Sequence, residues 1–374
     1  MKLLQAILML SGMIIGVGMF GIPFSFAQSG FWLGAGELII LAGVVTLLHF
    51  LYGEIVLRTS VYHRLPGYVA LHLGKRALPI AWFSSIFGIV GSLLVYLLVG
   101  SIFLNTIASR FWPNSTEFIW VLVLVIVGGI ITAFPLKREA LINGILTAIS
   151  IIFIVFLTIW LLPHVSLRNL SGIHFKNIFA PYGVLLFALS GGVVIPDLIT
   201  LLKRNRAHSR IAIIIGTLIP ALLYVCFAFT VAGVAGIGVS TEAIKGLTPF
   251  VGQEMVFFGS IIGFLAIFTS LVALSSSFQS LLVLDVGFSR IGAGVVGTGL
   301  PFFFYLLGFQ DFITIIGVIG TIAVGIDVAF ILALFNTVRR KEGKVLSHSI
   351  YIGEALLYGM ILTGVVYELF HIFY

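Results

Sequence analysis

Residues Gly12–Pro23, GMIIGVGMFGIP, decide how this chain of 374 residues is read. They fall inside the first apolar segment, about where the middle of a membrane helix should be. A membrane helix must satisfy every backbone N–H and C=O internally, because hydrocarbon offers no partners. Gly16, Gly18, Gly21 and Pro23 work against that, since glycine weakens a helix and proline removes a donor and clashes with the preceding turn. A broken helix at membrane depth is tolerated only where it is buried in protein or lines a wet cavity. There the freed backbone groups can bind an ion or a small zwitterion. Close packing is the competing reading, because small residues also let helices approach.

A second stretch favours the cavity. Gly191–Pro196 reads GGVVIP and Gly18–Pro23 reads GMFGIP. Both begin with glycine, both end in Ile-Pro, and they lie close to half the chain apart. Paired Gly/Pro-interrupted apolar segments at matching places in two halves point to the central site of a transporter.

Composition sets the class. The chain is 60% hydrophobic and 9% charged, against about 25% charged in a soluble protein. One transmembrane domain, residues 1–374, is expected, with no soluble domain because the connections are short. The net charge of +7 is read as membrane topology and not as nucleic-acid binding. Cys226 is the only cysteine, so no intrachain disulfide is possible. The first segment lacks a small-residue cleavage site and is read as a retained helix.

A span needs about 20 apolar residues. Eleven candidates run over 4–27, 31–57, 80–108, 118–135, 140–162, 178–202, 210–236, 252–283, 291–308, 312–336 and 349–372. The mixed basic and apolar segment 61–79 suggests a short helix on the cytoplasmic face. With the N-terminus inside, sixteen of the twenty Lys and Arg fall on inner loops, leaving Arg110, Arg168, Lys176 and Lys245 outside. That bias predicts a cytoplasmic N-terminus and an external C-terminus. The first and sixth spans then run in opposite directions. Spans one to five (4–162) and six to ten (178–336) form an inverted repeat, with 349–372 as an added helix.

The breaks suggest a chemistry. In LLFALSGGVVIPDL (185–198), a break at Ser190–Gly192 frees carbonyls at the end of a half-helix, which suits an ammonium or a cation. The half-helix starting near Gly18–Phe20 offers free N–H groups, which suit a carboxylate. Together they fit the backbone of an α-amino acid, with Phe187 placed to cover its side chain or simply to pack. FLAIFTSLVALSSSFQS (264–280) brings the adjacent hydroxyls Thr269 and Ser270. Hard cations take oxygen ligands, although such hydroxyls commonly bond the carbonyl one turn back. Ser275, Ser276 and Ser277 line an inner path or pack. Ionisable residues in spans are expensive and usually functional. Asp327, Asp197, His49 and an i,i+4 pair of Glu54 with Arg58 are the candidates. No H-E-x-x-H, G-x-S-x-G or G-x-x-x-x-G-K-[ST] pattern occurs, so neither an enzyme nor ATP drive is expected.

GVGMFGIPFSFAQSG (16–30) and FALSGGVVIPDL (187–198) resemble the first and sixth helices of the amino acid/auxin permease family. That family belongs to the amino acid–polyamine–organocation superfamily with the LeuT-type fold. The resemblance extends over nearly the whole chain. It implies a secondary amino acid transporter working by alternating access; a plasma or inner membrane is the expected location, the short loops leaning toward a prokaryotic inner membrane. It maps substrate binding to Gly16, Val17, Gly18 and Met19 of the first helix and to Phe187, Ala188, Ser190 and Gly191 of the sixth. The FTS of the eighth span is similar to the family's sodium ligands. This implies a Na⁺ site from Thr269 and Ser270 with the carbonyls of Gly12, Ile15 and Ala266. Proton-driven relatives can place a lysine in the fifth helix. Residues 140–162 contain none, which favours Na⁺ over H⁺. No other cofactor is expected. An amino-acid-binding membrane sensor without net transport is the alternative.

Overall fold

A computed structural model describes residues 2–133, 139–341, 357–359 and 362–367. Every regular element among them is helical. The first expected span is two helices, α1 (Lys2–Ile14) and α2 (Gly18–Ser29), bent by 52° across Ile15–Val17. Gly30, at φ +97°, lets the chain reverse in one residue into α3 (Phe31–Arg58), a conformation that costs glycine nothing. The short helix α4 (Leu65–His72) precedes α5 (Leu78–Ala108), α6 (Glu117–Ala133) and α7 (Glu139–Leu161). The sixth span is α8 (Ala180–Leu189) and α9 (Ile195–Leu201), separated by Ser190–Gly191 and one tight turn at Gly192–Val194. Then come α10 (Arg206–Ala235), α11 (Thr248–Leu281), α12 (Arg290–Leu306), α13 (Phe312–Val318) and α14 (Gly325–Lys341). A wider-wound turn at Ile319–Val324 joins the last two.

Seven helices among the described residues are long and apolar enough to cross a membrane, or eight with the bent α1–α2 pair taken as one span. Shorter apolar helices at Glu117–Ile130, Arg290–Leu306 and Leu357–Tyr367 occupy the remaining expected positions. Most of the expected eleventh span lies outside the described residues, as do Lys137, Arg138 and Lys344. The helix expected within 61–79 is present as α4. It is not laid on the bundle surface alone, because Tyr68 and Val69 are fully buried and the helix packs on α5 and α14.

Several helices pack on their counterparts in the other half. α2 lies on α8, α3 on α10, and α5 on α11, as an inverted repeat about a central axis demands. Lipid tails are as apolar as leucine, so dispersion contacts and interhelical hydrogen bonds hold such a bundle, not the hydrophobic effect. The interior shows both. Phe20 meets Phe103 and Phe227 edge-to-face, with centroids 5.0 and 6.2 Å apart. Ser11 Oγ donates to Gly216 O of α10 at 3.1 Å. At Gly18 a Cβ would stand 2.7 Å from Ala188 Cα, so only glycine lets α2 and α8 touch at their broken ends.

Candidate functional site

The two breaks face one another. α1 closes with Ile15 N–H donating to Ser11 O at 2.7 Å, and α2 opens with the loose turn of Met19 N–H on Gly16 O at 3.4 Å. Phe20 N–H turns back to Val17 O at 3.1 Å, and among the described residues no such bond closes on the N–H groups of Val17 and Gly18. α8 ends with Ser190 N–H on Phe187 O at 3.1 Å, freeing the carbonyls behind it. A cavity of ≈ 170 Å³ lies between the breaks, walled by Gly16, Val17, Gly18, Phe187, Ala188 and Ser190. Six of the eight residues expected at the substrate site thus share one wall. The other two do not reach it. Met19 is 2% exposed and packed in the core, because α2 turns its side chain away from the break. Gly191 is packed against Ile14 and Leu10.

Two tyrosines that the sequence reading passed over tie the site together. Tyr224 of α10 is fully buried, and its hydroxyl lies 2.5 Å from Ile14 O and 3.1 Å from Ala188 O. One hydroxyl thus spans the ends of α1 and α8. Tyr96 of α5 lines the cavity, and its hydroxyl and Ser270 Oγ both stand over Gly16. A Cβ on Gly16 would sit 3.0 Å from the Tyr96 hydroxyl and 3.4 Å from Ser270 Oγ, so the break rests directly on this pair. Neither tyrosine carries a local sequence signal, since a tyrosine in a span is ordinary until its partner is known.

Ser270 opens onto the expected cation site. Its Oγ lies 3.3 Å from Gly12 O and 3.5 Å from Ala266 O, and Thr269 Oγ1 lies 2.8 Å from Ala266 O. Both hydroxyls therefore do bond back toward Ala266, as the packing reading held. Ser270 also reaches across to the end of α1, which that reading did not require. Ile15 is buried at the start of the break. The clustered oxygens are of the kind that a hard cation takes as ligands. Thr147 of α7 presses so closely on Gly12 that no Cβ could be added there.

A second cavity of ≈ 320 Å³ runs from Gly12, Thr147, Thr269 and Ser270 past Ser276 and Ser277 to Arg64 and Asp197. Ser276 and Ser277 therefore face this path, whereas Ser275 is buried beside it. Arg64 borders both cavities. Its guanidinium donates to Asp197 at 2.7 Å and to Val193 O at 2.8 Å, and the Tyr62 hydroxyl donates to Asp197 at 2.7 Å. Burial works against the Arg64 charge, but the Asp197 carboxylate beside it more than offsets that and holds its pKa above the ordinary value.

The remaining ionisable candidates separate. Asp327 lines the first cavity and accepts from Ser84 Oγ at 2.6 Å. Glu54 pairs with Arg58 at 3.3 Å, as expected, and also with Arg210 at 2.8 Å and Arg206 at 3.5 Å. It is a structural clasp between α3 and α10, away from both cavities. Glu37, which the sequence reading overlooked, is half-buried in α3 and borders neither cavity.

Comparison with known proteins follows the same lines. The chain is similar over 96% of its length to glutamine transporter 2 of Aliivibrio fischeri, 24% identical and covering 98% of that protein. Its fold matches Mhp1, a nucleobase-cation-symport-1 family transporter in a closed conformation with bromovinylhydantoin bound. The TM-score is 0.68 at 12% identity, over 98% of this chain and 90% of that one. MhsT in complex with L-phenylalanine matches with a TM-score of 0.65 at 15% identity, over 98% and 97%. These neighbours have the LeuT-type fold expected from the sequence, and the protein is a membrane transporter, not an enzyme. The family model that matches is not that of the amino acid/auxin permeases. It is the tryptophan/tyrosine permease model, matching residues 1–371. The chain belongs to the tryptophan/tyrosine permease family.

Proposed function

We propose that the protein is a secondary active transporter that carries an aromatic amino acid by cation-coupled symport. The observation that carries this reading is the cavity between the two broken helices. The N–H end of α2 suits a carboxylate and the carbonyl end of α8 suits an ammonium. Phe187 flanks the space left for a side chain. Family membership supports tryptophan or tyrosine as substrate, and the glutamine transporter among the relatives makes glutamine the control.

Na⁺ is the proposed coupling ion, held by Thr269 and Ser270 with the carbonyls of Gly12, Ile15 and Ala266. The place of Ser270 supports coupling, because its hydroxyl reaches Gly12 O on one side and stands with Tyr96 over Gly16 of the substrate wall on the other. The N-terminus is proposed to be cytoplasmic on the distribution of Lys and Arg. Both cavities then extend toward the inner face, where Arg64 and Asp197 stand.

Uptake of labelled L-tryptophan, L-tyrosine and L-glutamine into proteoliposomes, under a Na⁺ gradient and then a pH gradient, tests the reading. Uptake of an aromatic substrate driven by Na⁺ is expected. Thr269→Ala is expected to raise the Na⁺ concentration for half-maximal uptake roughly tenfold, the loss of one ligand worth about 1.4 kcal/mol. Uptake under the pH gradient alone would overturn the Na⁺ assignment. Binding without uptake under either would make the protein a sensor.

A further inference from the structure

His49 sits in α3 with 4% of its surface exposed, and its ring lines the cavity between the breaks. Nδ1 lies 3.0 Å from Thr217 Oγ1, and the N–H of Gly191 points at Nε2 from 3.3 Å. The hydrogen-bond chain fixes the tautomer. Thr217 Oγ1 donates its one proton to Ile213 O at 2.9 Å, so toward His49 it can only accept. Nδ1 must then carry the proton, and Nε2 presents a lone pair. That lone pair takes the N–H of Gly191, a residue of the sixth-helix break with no helical carbonyl to bond.

We propose that His49 is a positioning residue for the substrate site, in which a proton and the Gly191 N–H compete for the same lone pair on Nε2. A neutral ring holds the break against α3. A protonated ring presents N–H to N–H, loses the bond, and releases the segment that carries Ala188 and Ser190. The proton therefore favours whichever conformation has Gly191 withdrawn, and the bound break favours the neutral ring. This inference rests on the reading of the break as the substrate site.

The charged surroundings leave His49 to act by itself. On its own helix, Tyr52 lies one turn on, and Glu54 is engaged by Arg58, Arg206 and Arg210. On α10, Arg210 is taken by Glu54, and Tyr224 is held on Ile14 O and Ala188 O. Across the cavity stand Tyr96 from α5 and Asp327 from α14, the latter bonded by Ser84. Below the break, Asp197 of α9 is closed by Arg64 and Tyr62. No described residue forms an ion pair with His49. A proton on Nε2 thus competes directly with the Gly191 N–H.

The test uses the full chain and two variants. His49→Gln keeps an acceptor oxygen near the position of Nε2 but does not titrate. His49→Ala removes the acceptor. Hydrogen exchange of the segment 187–194, followed by mass spectrometry, needs no ligand. Wild type and His49→Gln should exchange alike at about pH 8. At about pH 4.5 the wild-type segment should exchange several-fold faster than His49→Gln measured at the same pH. His49→Ala should exchange fast at both. In parallel, L-tryptophan binding to wild type should weaken roughly threefold to tenfold on acidification, the span of one hydrogen bond's net worth, and that loss should be missing in His49→Gln. Identical pH profiles for wild type and His49→Gln in exchange would overturn the proposal, as would slow exchange in His49→Ala. Absence of tryptophan, tyrosine and glutamine binding by wild type at about pH 8 would instead sink the amino acid reading, while exchange still decides the role of His49.

Discussion

At the residue scale, function falls to groups whose partners are far away in sequence. Gly18 admits the backbone of α8 because it has no Cβ. Leucine there would collide with Ala188 and Phe187. Gly18→Leu is therefore expected to abolish uptake while leaving surface expression intact, read by transport beside a surface-labelling assay. Normal uptake would remove the break from the substrate site. Tyr224 contributes a single hydroxyl to two carbonyl ends. Tyr224→Phe removes the one proton these two carbonyl ends share, at a cost of about 1–3 kcal/mol. The expected result is a rise in KM of roughly fivefold or more with protein yield unchanged, and an unaltered KM would reduce Tyr224 to packing.

At the element scale, the broken helices matter because their ends can move while the bundle around them stays packed. α9 and the turn before it are held to the loop ahead of α4 by Arg64, Asp197, Tyr62 and Val193 O. The Asp197 side chain is 36% exposed, so solvent screening limits this ion pair to on the order of 1 kcal/mol. A latch of that strength opens thermally. Asp197→Asn is expected to speed alkylation of a cysteine placed at Ser277, in the wall shared by both cavities, by roughly fivefold. The exchange Arg64→Asp with Asp197→Arg should restore the slow rate. No change in either variant would mean the pair does not guard the cavities. The Glu54 cluster, by contrast, ties α3 to α10 from a carboxylate only 4% exposed and belongs to the scaffold.

At the scale of the whole molecule, orientation and coupling meet. One positive charge moved inward through 100 mV supplies about 2.3 kcal/mol, enough to concentrate a neutral amino acid roughly fiftyfold before any ion gradient is added. The direction matters, and the Lys and Arg distribution predicts it. In a chain with Cys226 replaced by serine, Lys245→Cys is expected to react with an impermeant maleimide on intact cells. Lys75→Cys should react only after permeabilisation. The opposite pattern would invert the topology and turn both cavities toward the outside.

The sequence by itself determined the membrane class, the two interrupted helices and their matching positions, because each depends on local composition and on glycine and proline, which act on their own turn of backbone. The resemblance to a permease family pointed to Gly16, Val17, Gly18, Phe187, Ala188 and Ser190, and six such positions on two helices meet only when the helices pack together. Tertiary structure alone decided what surrounds those ends. Met19 is turned into the core by the winding of α2. Tyr96, Tyr224 and the tautomer of His49 acquire roles only when helices hundreds of residues apart pack together. A hydroxyl or an imidazole has no function until folding gives it a partner, and that partner is a property of the bundle and not of any one stretch.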